Sequence, residues 1–139
     1  MQSLNICFAE KGLVGTRSEP VAEPGPDEIL IETQRSLIST GTEGIVFTGK
    51  FAPGTHWDNW AKYPFYPGYS AAGRVLKVGA AVPDLKPGDR VAARSKHKQY
   101  APYPGARALK LPHGVSAAAP PCFGLPRIPP YVVTPPCLP

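Results

Sequence analysis

Prolines and glycines divide this chain into short segments and so limit it to folds built from short strands. They account for 19 and 14 of its 139 residues. Seven of the segments between them alternate apolar and polar residues or are rich in β-branched ones, which is typical of β-strands. The predicted strands cover residues 3–9, 12–22, 27–37, 71–79, 90–94, 98–103 and 106–111. Many short strands joined by Gly/Pro turns predict a mostly β domain, a small barrel or sandwich.

The segments that connect the predicted strands differ in length and composition. Residues 23–28 and 83–89 combine proline, which presets φ, with glycine, which accepts positive φ, and are predicted to be tight turns. Residues 51–69 form a longer segment punctuated by proline and glycine that contains seven of the thirteen aromatic residues. We expect a long loop there that either packs over the core or lines a pocket.

The composition changes at Pro112. Nine of the last 28 residues are prolines, and Arg127 is the one charged residue among them. The proline pairs at 129–130 and 135–136 exclude a helix interior. A chain of this length accommodates one domain with a core, but not a substrate domain plus a dinucleotide domain. We therefore predict one domain over residues 1–119 and an irregular proline-rich tail over residues 120–139.

The charges and cysteines of the sequence indicate a cellular compartment and classes of binding partner. Cys7, Cys122 and Cys137 form no C-x-x-C pair and no even disulfide framework, which favours a reducing, cytoplasmic setting. No run of 18 apolar residues is present, so neither a membrane span nor a signal peptide is expected. The basic residues within 90–98, which flank His97, predict a solvated hairpin rim. Nucleic-acid binding is disfavoured because no aromatic residue is interleaved there.

Several motifs are incomplete. Residues 44–50 fit G-x-x-x-x-G-K, but Phe51 follows where a phosphate loop needs a hydroxyl. Ser70 lies one residue short of a G-x-S-x-G nucleophile elbow, and the segment after it is strand-like where the elbow needs a helix. The three histidines, at 56, 97 and 113, lack local metal-site spacing. No G-x-G-x-x-G follows a strand, so no cofactor-binding residue is predicted in this chain.

Four sequence blocks, in order, resemble the medium-chain dehydrogenase/reductase superfamily. They are PGPDEILI at 24–31, YPGYSAAGRVLKVG at 66–79, VPDLKPGDRVA at 82–92 and ALKLPHGVS at 108–116. The resemblance implies a GroES-like, partly open β-barrel that forms the substrate side of an oxidoreductase. A full-length relative would use NAD or NADP and bind a small-molecule substrate in a cleft between two domains. The chain alone, without the nucleotide-binding half, is then expected to be inactive.

The chain differs from the zinc alcohol dehydrogenases of that superfamily at the positions of their zinc ligands. Ser39 matches their first zinc ligand, a cysteine, and Tyr69 matches the second, a histidine. A hydroxyl and a phenol are poor zinc ligands, so we expect no catalytic zinc. No cysteine lies between 8 and 121, so the four-cysteine structural lobe is also absent.

The S-x-G-T-E sequence at 39–43 resembles a subgroup that includes bacteriochlorophyllide dehydrogenase. By that resemblance Ser39, Thr42, Glu43 and Tyr69 face the substrate cleft. Alternatively, residues 39–42 are a plain hydroxyl-rich turn and Glu43 is a first-turn helix carboxylate. The sequence assigns no catalytic residue.

Three functions remain open. The first is a substrate-side fragment of a nicotinamide-dependent oxidoreductase. The tail at 117–131 resembles the helix that leads into that family's nucleotide domain, with prolines replacing alanines at a cost of about 3 kcal/mol each. The second is a stand-alone β-barrel for binding or assembly, with oligomerisation possible. The third is a hydrolase that uses Ser70.

Overall fold

The computed structural model describes residues 1–112, 114 and 115. Its strands are β1 (Gln2–Glu10), β2 (Leu13–Pro20), β3 (Glu28–Ser36), β4 (Ala71–Val78), β5 (Arg90–Ala93), β6 (Tyr100–Pro104) and β7 (Leu109–Lys110). Two short α-helices, α1 (Thr42–Thr48) and α2 (His56–Trp60), and a 3₁₀ turn (Gly105–Arg107) complete the set. The predicted tail over 120–139, with Cys122 and Cys137, lies outside the described residues.

The strands form one five-stranded antiparallel sheet, in the order β6-β3-β4-β5-β7, and one hairpin of β1 and β2. The hairpin joins the rest of the domain through isolated bridges from Asn5 to Lys98 and from Phe8 to Phe65. The Ser3 hydroxyl adds a link to β6, because it accepts a 3.0 Å hydrogen bond from the backbone N–H of Tyr100. The domain is therefore mostly β and partly open, as predicted.

Glycine allows strands β3 and β4 to approach closely. A Cβ built on Gly73 would lie 2.2 Å from the carbonyl oxygen of Glu32 on β3, a distance that no real side chain tolerates. The pairing of β3 with β4 shifts register beside this position, between Thr33 and Arg35. A glycine in a strand interior commonly marks such a bend.

The core consists of two clusters. The first fills the sheet and contains Ile29, Ile31, Val75, Val91 and Ala93. The second lies between the hairpin and α1 and is made by Phe8, Val46 and Ala61, with Phe47, Phe51, Trp57, Tyr63 and Phe65 packed against it. Part of the aromatic segment 51–69 therefore covers core, one of the two roles predicted for it, and other aromatic residues of the segment line a cavity, the second predicted role.

All seven predicted strands are present, but three details differ. Residues 106–111 begin in the 3₁₀ turn and give a strand of only two residues, because the Ala108 N–H closes a turn onto the Gly105 carbonyl. Residues 44–48 belong to α1, which ends at Gly49 with φ +57°; this segment is not a phosphate loop. The predicted loop over 51–69 contains α2, which begins where the Thr55 side chain accepts from the Asp58 N–H.

The predicted turn over 83–89 is confirmed: Gly88 has φ +94°, and the Asp89 N–H donates to the Lys86 carbonyl. Within the described residues, no helix has the length and apolar character needed to cross a membrane.

Candidate functional site

The S-x-G-T-E segment connects the end of β3 to α1. The backbone N–H of Glu43 donates to the Ser39 carbonyl and that of Ile45 to the Gly41 carbonyl, each at 3.0 Å, so the segment winds directly into the helix. Val46, one turn further on, is fully buried in the second core cluster. Because Val46 anchors α1, the side chains of residues 39–43 are held beside the sheet.

Glu43 of this helix forms a buried pair with His97, which lies between β5 and β6. Glu43 Oε2 lies 3.0 Å from His97 Nε2, and the two side chains are 7% and 3% exposed, respectively. The other carboxylate oxygen accepts a 3.2 Å hydrogen bond from the Ser39 N–H. Burial of a carboxylate is tolerated when it is paired and hydrogen-bonded in this way.

His97 is fixed on every side. Its backbone N–H donates to the Pro67 carbonyl at 3.0 Å, and its carbonyl accepts from the Ile6 N–H at 2.9 Å. Its Nδ1 lies 2.9 Å from the Ser36 hydroxyl. Since a carboxylate has no proton to give, we place the imidazole hydrogen on Nε2, with Nδ1 accepting from Ser36. Hydrogen bonds then link the Ser36 hydroxyl, the His97 ring and the Glu43 carboxylate in series.

Two cavities share Glu43 as a wall. The smaller, of about 150 Å³, is lined by Thr42, Glu43, Val46, Trp60, Phe65, Tyr66, Gly68, Tyr69 and Lys96. The larger, of about 360 Å³, is lined by Ile6, Phe8, Val14, Ile38, Ser39, Thr40, Glu43, Gly44, Phe47, Pro67 and His97. The larger one falls in the size range of small-molecule sites.

The four residues predicted from the resemblance therefore divide between the two cavities. Thr42 and Tyr69 line the smaller one, Ser39 lines the larger one, and Glu43 lines both. Glu43 is buried, whereas the other three are half-buried.

Sequence reasoning missed His97 and Ser36. The sequence predicted His97 to be part of a solvated basic rim, but it is 5% exposed, so that interpretation was wrong for this residue. No local spacing signals the pair, because 54 positions separate Glu43 from His97. Only the tertiary fold brings them together.

A basic and aromatic rim borders the smaller cavity. The amino groups of Lys96 and Lys98 lie 5.6 and 5.7 Å from the centre of the Tyr66 ring, within the range of cation–π contacts. The Tyr66 hydroxyl donates to the Glu19 carboxylate. This bond is the main cause that lowers the pKa of Glu19 and raises the pKa of Tyr66. Residues 90–98 contain no aromatic residue, and the ring that contacts their lysines is that of Tyr66, which lies earlier in the sequence.

Two motif-based functions find little support in this geometry. Ser70 is 3% exposed and leads directly into strand β4 instead of the helix that a nucleophile elbow requires. Among residues 1–112, 114 and 115, no group of three or more His, Cys, Asp or Glu side chains is placed to hold a metal ion. Ser39 and Tyr69, which the resemblance predicted at the zinc-ligand positions, line different cavities.

Comparison with known proteins identifies relatives of the domain. The alcohol dehydrogenase GroES-like domain family matches residues 25–117. The 2-desacetyl-2-hydroxyethyl bacteriochlorophyllide A dehydrogenase of Cereibacter sphaeroides is 41% identical over 80 residues, which are 56% of this chain and 23% of that protein. The sorbitol dehydrogenase of Gallus gallus is 36% identical over 91 residues, 66% of this chain and 24% of that protein. The chain thus spans about a quarter of the length of these curated relatives.

Solved structures share the fold. The Escherichia coli quinone oxidoreductase complexed with NADPH superposes with a TM-score of 0.66 at 25% identity. The superposition covers 86% of this chain and 36% of that one.

Proposed function

Because the chain belongs to the alcohol dehydrogenase GroES-like domain family, we propose that it forms the substrate-side half of an NAD(P)-dependent medium-chain oxidoreductase. The observation that carries this proposal is the pair of cavities that share Glu43. Ser39, Thr42, Glu43 and Tyr69 line these cavities, in agreement with the cleft-facing positions that the resemblance implies.

The relatives support the reaction class. Two of them are dehydrogenases named after a compound with a hydroxyl group. The compound is a hydroxyethyl bacteriochlorophyllide in one case and sorbitol in the other. The structural relative from Escherichia coli is a quinone oxidoreductase in complex with NADPH. We propose that a small molecule with a hydroxyl or carbonyl group occupies the cleft of this chain, and that NAD or NADP is held by a separate nucleotide-binding unit.

The residues of this chain would contribute binding and orientation. The hydroxyls of Thr42 and Tyr69 can donate to a substrate oxygen in the smaller cavity, and the Glu43 carboxylate can accept from a substrate hydroxyl. A nicotinamide, when bound, supplies or accepts the hydride. Every strand pair in the described part of the chain is antiparallel, so we assign no nucleotide-binding residue there.

The test is a nuclear magnetic resonance titration of the 139-residue chain with 1-hexanol, cyclohexanol and sorbitol. We expect at least one of them to give saturable amide shifts that include Thr42, Glu43 or Ser39. In Tyr69→Phe, which removes one cavity hydroxyl, a ligand of the smaller cavity should bind more weakly.

Tyr103→Phe is the matched control. Its hydroxyl accepts from the Arg94 N–H at 3.2 Å and lines neither cavity, so ligand binding should stay unchanged. Saturable shifts confined to residues outside the two cavities, or no saturable shift with any of the three compounds, would rule out the proposed substrate site.

A further inference from the structure

We propose that the buried Glu43–His97 pair makes the larger cavity selective for neutral apolar hydroxyl compounds and excludes anions and polyols. This inference rests on the proposed function, because it assigns a substrate class to the same cleft. It concerns the cavity of about 360 Å³.

The walls of this cavity are apolar. Ile6 and Phe8 from β1, Val14 from β2 and Phe47 from α1 surround it, and Ile38 stands at its rim with 64% of its surface exposed. Small-molecule sites of this size are typically lined by hydrophobic side chains with a few polar groups that fix orientation. A hydrocarbon chain or ring is the group that gains most from such walls.

Its ionisable groups are confined to one pair. Among the described residues that line this cavity, only Glu43 and His97 have acidic or basic side chains. Lys96 contacts the smaller cavity and does not line the larger one. The described side chains of β1, β2 and α1 that line the larger cavity with Glu43 include no lysine or arginine that could attract an anion.

The hydrogen-bond pattern of the pair sets its selectivity. A carboxylate offers only acceptors, and each oxygen of Glu43 has capacity beyond the single bond it accepts from Ser39 or shares with His97. A ligand hydroxyl can therefore donate to Glu43. A ligand carboxylate has no proton to donate, and it meets the like charge of the buried Glu43 carboxylate beside apolar walls, where repulsion is stronger than in bulk water.

Polyols are disfavoured for a different reason. Among the residues that the structure describes, the polar side chains that line the cavity are those of Ser39, Thr40, Glu43 and His97. A molecule with many hydroxyls would leave several of them unpaired against the apolar walls, and each unpaired buried hydroxyl costs free energy.

The experiment compares 1-hexanol, hexanoate and sorbitol by amide-shift titration of the full chain at about pH 8, above the ordinary titration range of histidine. We expect 1-hexanol to shift cavity residues such as Ile6 and Ile38. Hexanoate and sorbitol should bind at least about 10-fold more weakly, which corresponds to about 1.4 kcal/mol.

Glu43→Gln tests the role of the charge, because it keeps the shape and an acceptor oxygen. We expect the ratio of the hexanoate dissociation constant to the 1-hexanol dissociation constant to fall about 10-fold, mainly because hexanoate binds more tightly. If Glu43 has only a structural role, the substitution should weaken the binding of both ligands by the same factor. Glu23→Gln, which neutralises an exposed carboxylate paired with Lys77 outside both cavities, is the control and should leave the ratio unchanged.

A second variant covers the case in which Glu43→Gln fails to fold. Ile38→Lys adds a positive charge at the exposed rim of the cavity, so it should fold and should tighten hexanoate binding. Equal affinity of the native chain for hexanoate and 1-hexanol, or an unchanged ratio in these variants, would overturn the inference. If hexanoate or sorbitol shifts the cavity residues while 1-hexanol does not, this inference fails, and the proposed function stands as long as sorbitol or cyclohexanol binds. If none of 1-hexanol, cyclohexanol and sorbitol binds, both fail.

Discussion

Gly68 packs directly against His97. A Cβ at position 68 would lie 2.6 Å from the His97 backbone nitrogen and 2.9 Å from its Nδ1, and the φ of Gly68 is +97°. The adjacent Pro67 carbonyl accepts the hydrogen bond from that same His97 nitrogen. The segment before β4 therefore sets the position of the imidazole, and through it the position of the Glu43 carboxylate.

Gly68→Ala should destabilise the domain and displace His97. A non-glycine residue at this φ costs on the order of 1–3 kcal/mol, and the contact with backbone atoms at 2.6 Å adds to it. Chemical denaturation measures the loss, and the His97 ring resonances report the displacement.

Gly54→Ala is the matched control for this substitution. Gly54 has a similar φ of +77° but no atom within 4 Å of its Cβ position, so it carries the backbone cost without the steric clash. Equal destabilisation of the two variants, with unchanged His97 resonances, would show that Gly68 does not position the histidine.

Val46→Ala should loosen the attachment of α1. Val46 is fully buried and is the helix residue at the centre of the second core cluster. Loss of its two methyl groups removes about 1.6 kcal/mol of transfer free energy and leaves a small cavity in addition, so we expect a loss of about 2 kcal/mol. Val14→Ala, the same change at a residue that is 54% exposed, should change stability little. Equal losses of unfolding free energy in Val46→Ala and Val14→Ala, measured with urea, would contradict the anchoring role of Val46.

The strands were predictable from the sequence because each is a local pattern. Alternation along residues 27–37 and 71–79 located β3 and β4, and the four sequence blocks located the fold itself. The family match over residues 25–117 and the relationship to bacteriochlorophyllide dehydrogenase confirm that resemblance. The mostly β class followed from these local signals, and the GroES-like assignment followed from the resemblance.

The helices and the buried pair were not predictable in the same way. Helix α1 is only seven residues long and depends on the packing of Val46, so it lacks a long amphipathic pattern. His97 sits between lysines, which predicts exposure, yet backbone bonds to Ile6 and Pro67 draw it inside. Such contacts are set by the tertiary fold, and a single sequence does not contain them.

The stability of the native chain should depend on pH through Glu19 and Tyr66. Folding lowers the pKa of Glu19, so its contribution is present above its ordinary pKa and is lost as the pH falls through the lowered value. Folding raises the pKa of Tyr66, so its contribution is present below the ordinary tyrosine pKa and is lost as the pH rises through the raised value.

Tyr66→Phe should remove the Tyr66 contribution and the largest part of the Glu19 contribution, because it deletes the shared hydrogen bond but leaves the Asn5 bond to Glu19. The stability difference between native chain and variant should be largest near neutral pH and shrink towards both extremes, as urea unfolding at about pH 3, 7 and 11 would measure. Tyr103→Phe removes a hydroxyl that accepts from the Arg94 N–H and contacts no carboxylate of the described residues, so its effect on stability should not depend on pH in the acid range. A Tyr66→Phe effect that is constant from acid to neutral pH would rule out the coupling to Glu19.

The chain alone should bind neither NAD nor NADP measurably and should show no dehydrogenase activity. Hydride transfer requires a nicotinamide held at near-attack distance from the substrate, and the pyrophosphate is normally gripped by a glycine turn and a helix N-terminus behind a parallel strand. The nearest equivalent here is the connection from β3 to α1. The carboxylate of Glu43 occupies the first turn of that helix and would repel a phosphate.

Calorimetry at low salt with the oxidised and reduced forms of both dinucleotides measures this directly, because low salt favours even weak phosphate contacts with Lys96 and Lys98. We expect no saturable heat. Binding tighter than about 100 μM, which corresponds to roughly 5.5 kcal/mol, would reveal a nucleotide site within these 139 residues. The assignment of the chain to the substrate side alone would then be wrong, since such affinity needs oriented pyrophosphate contacts that exposed lysines do not provide.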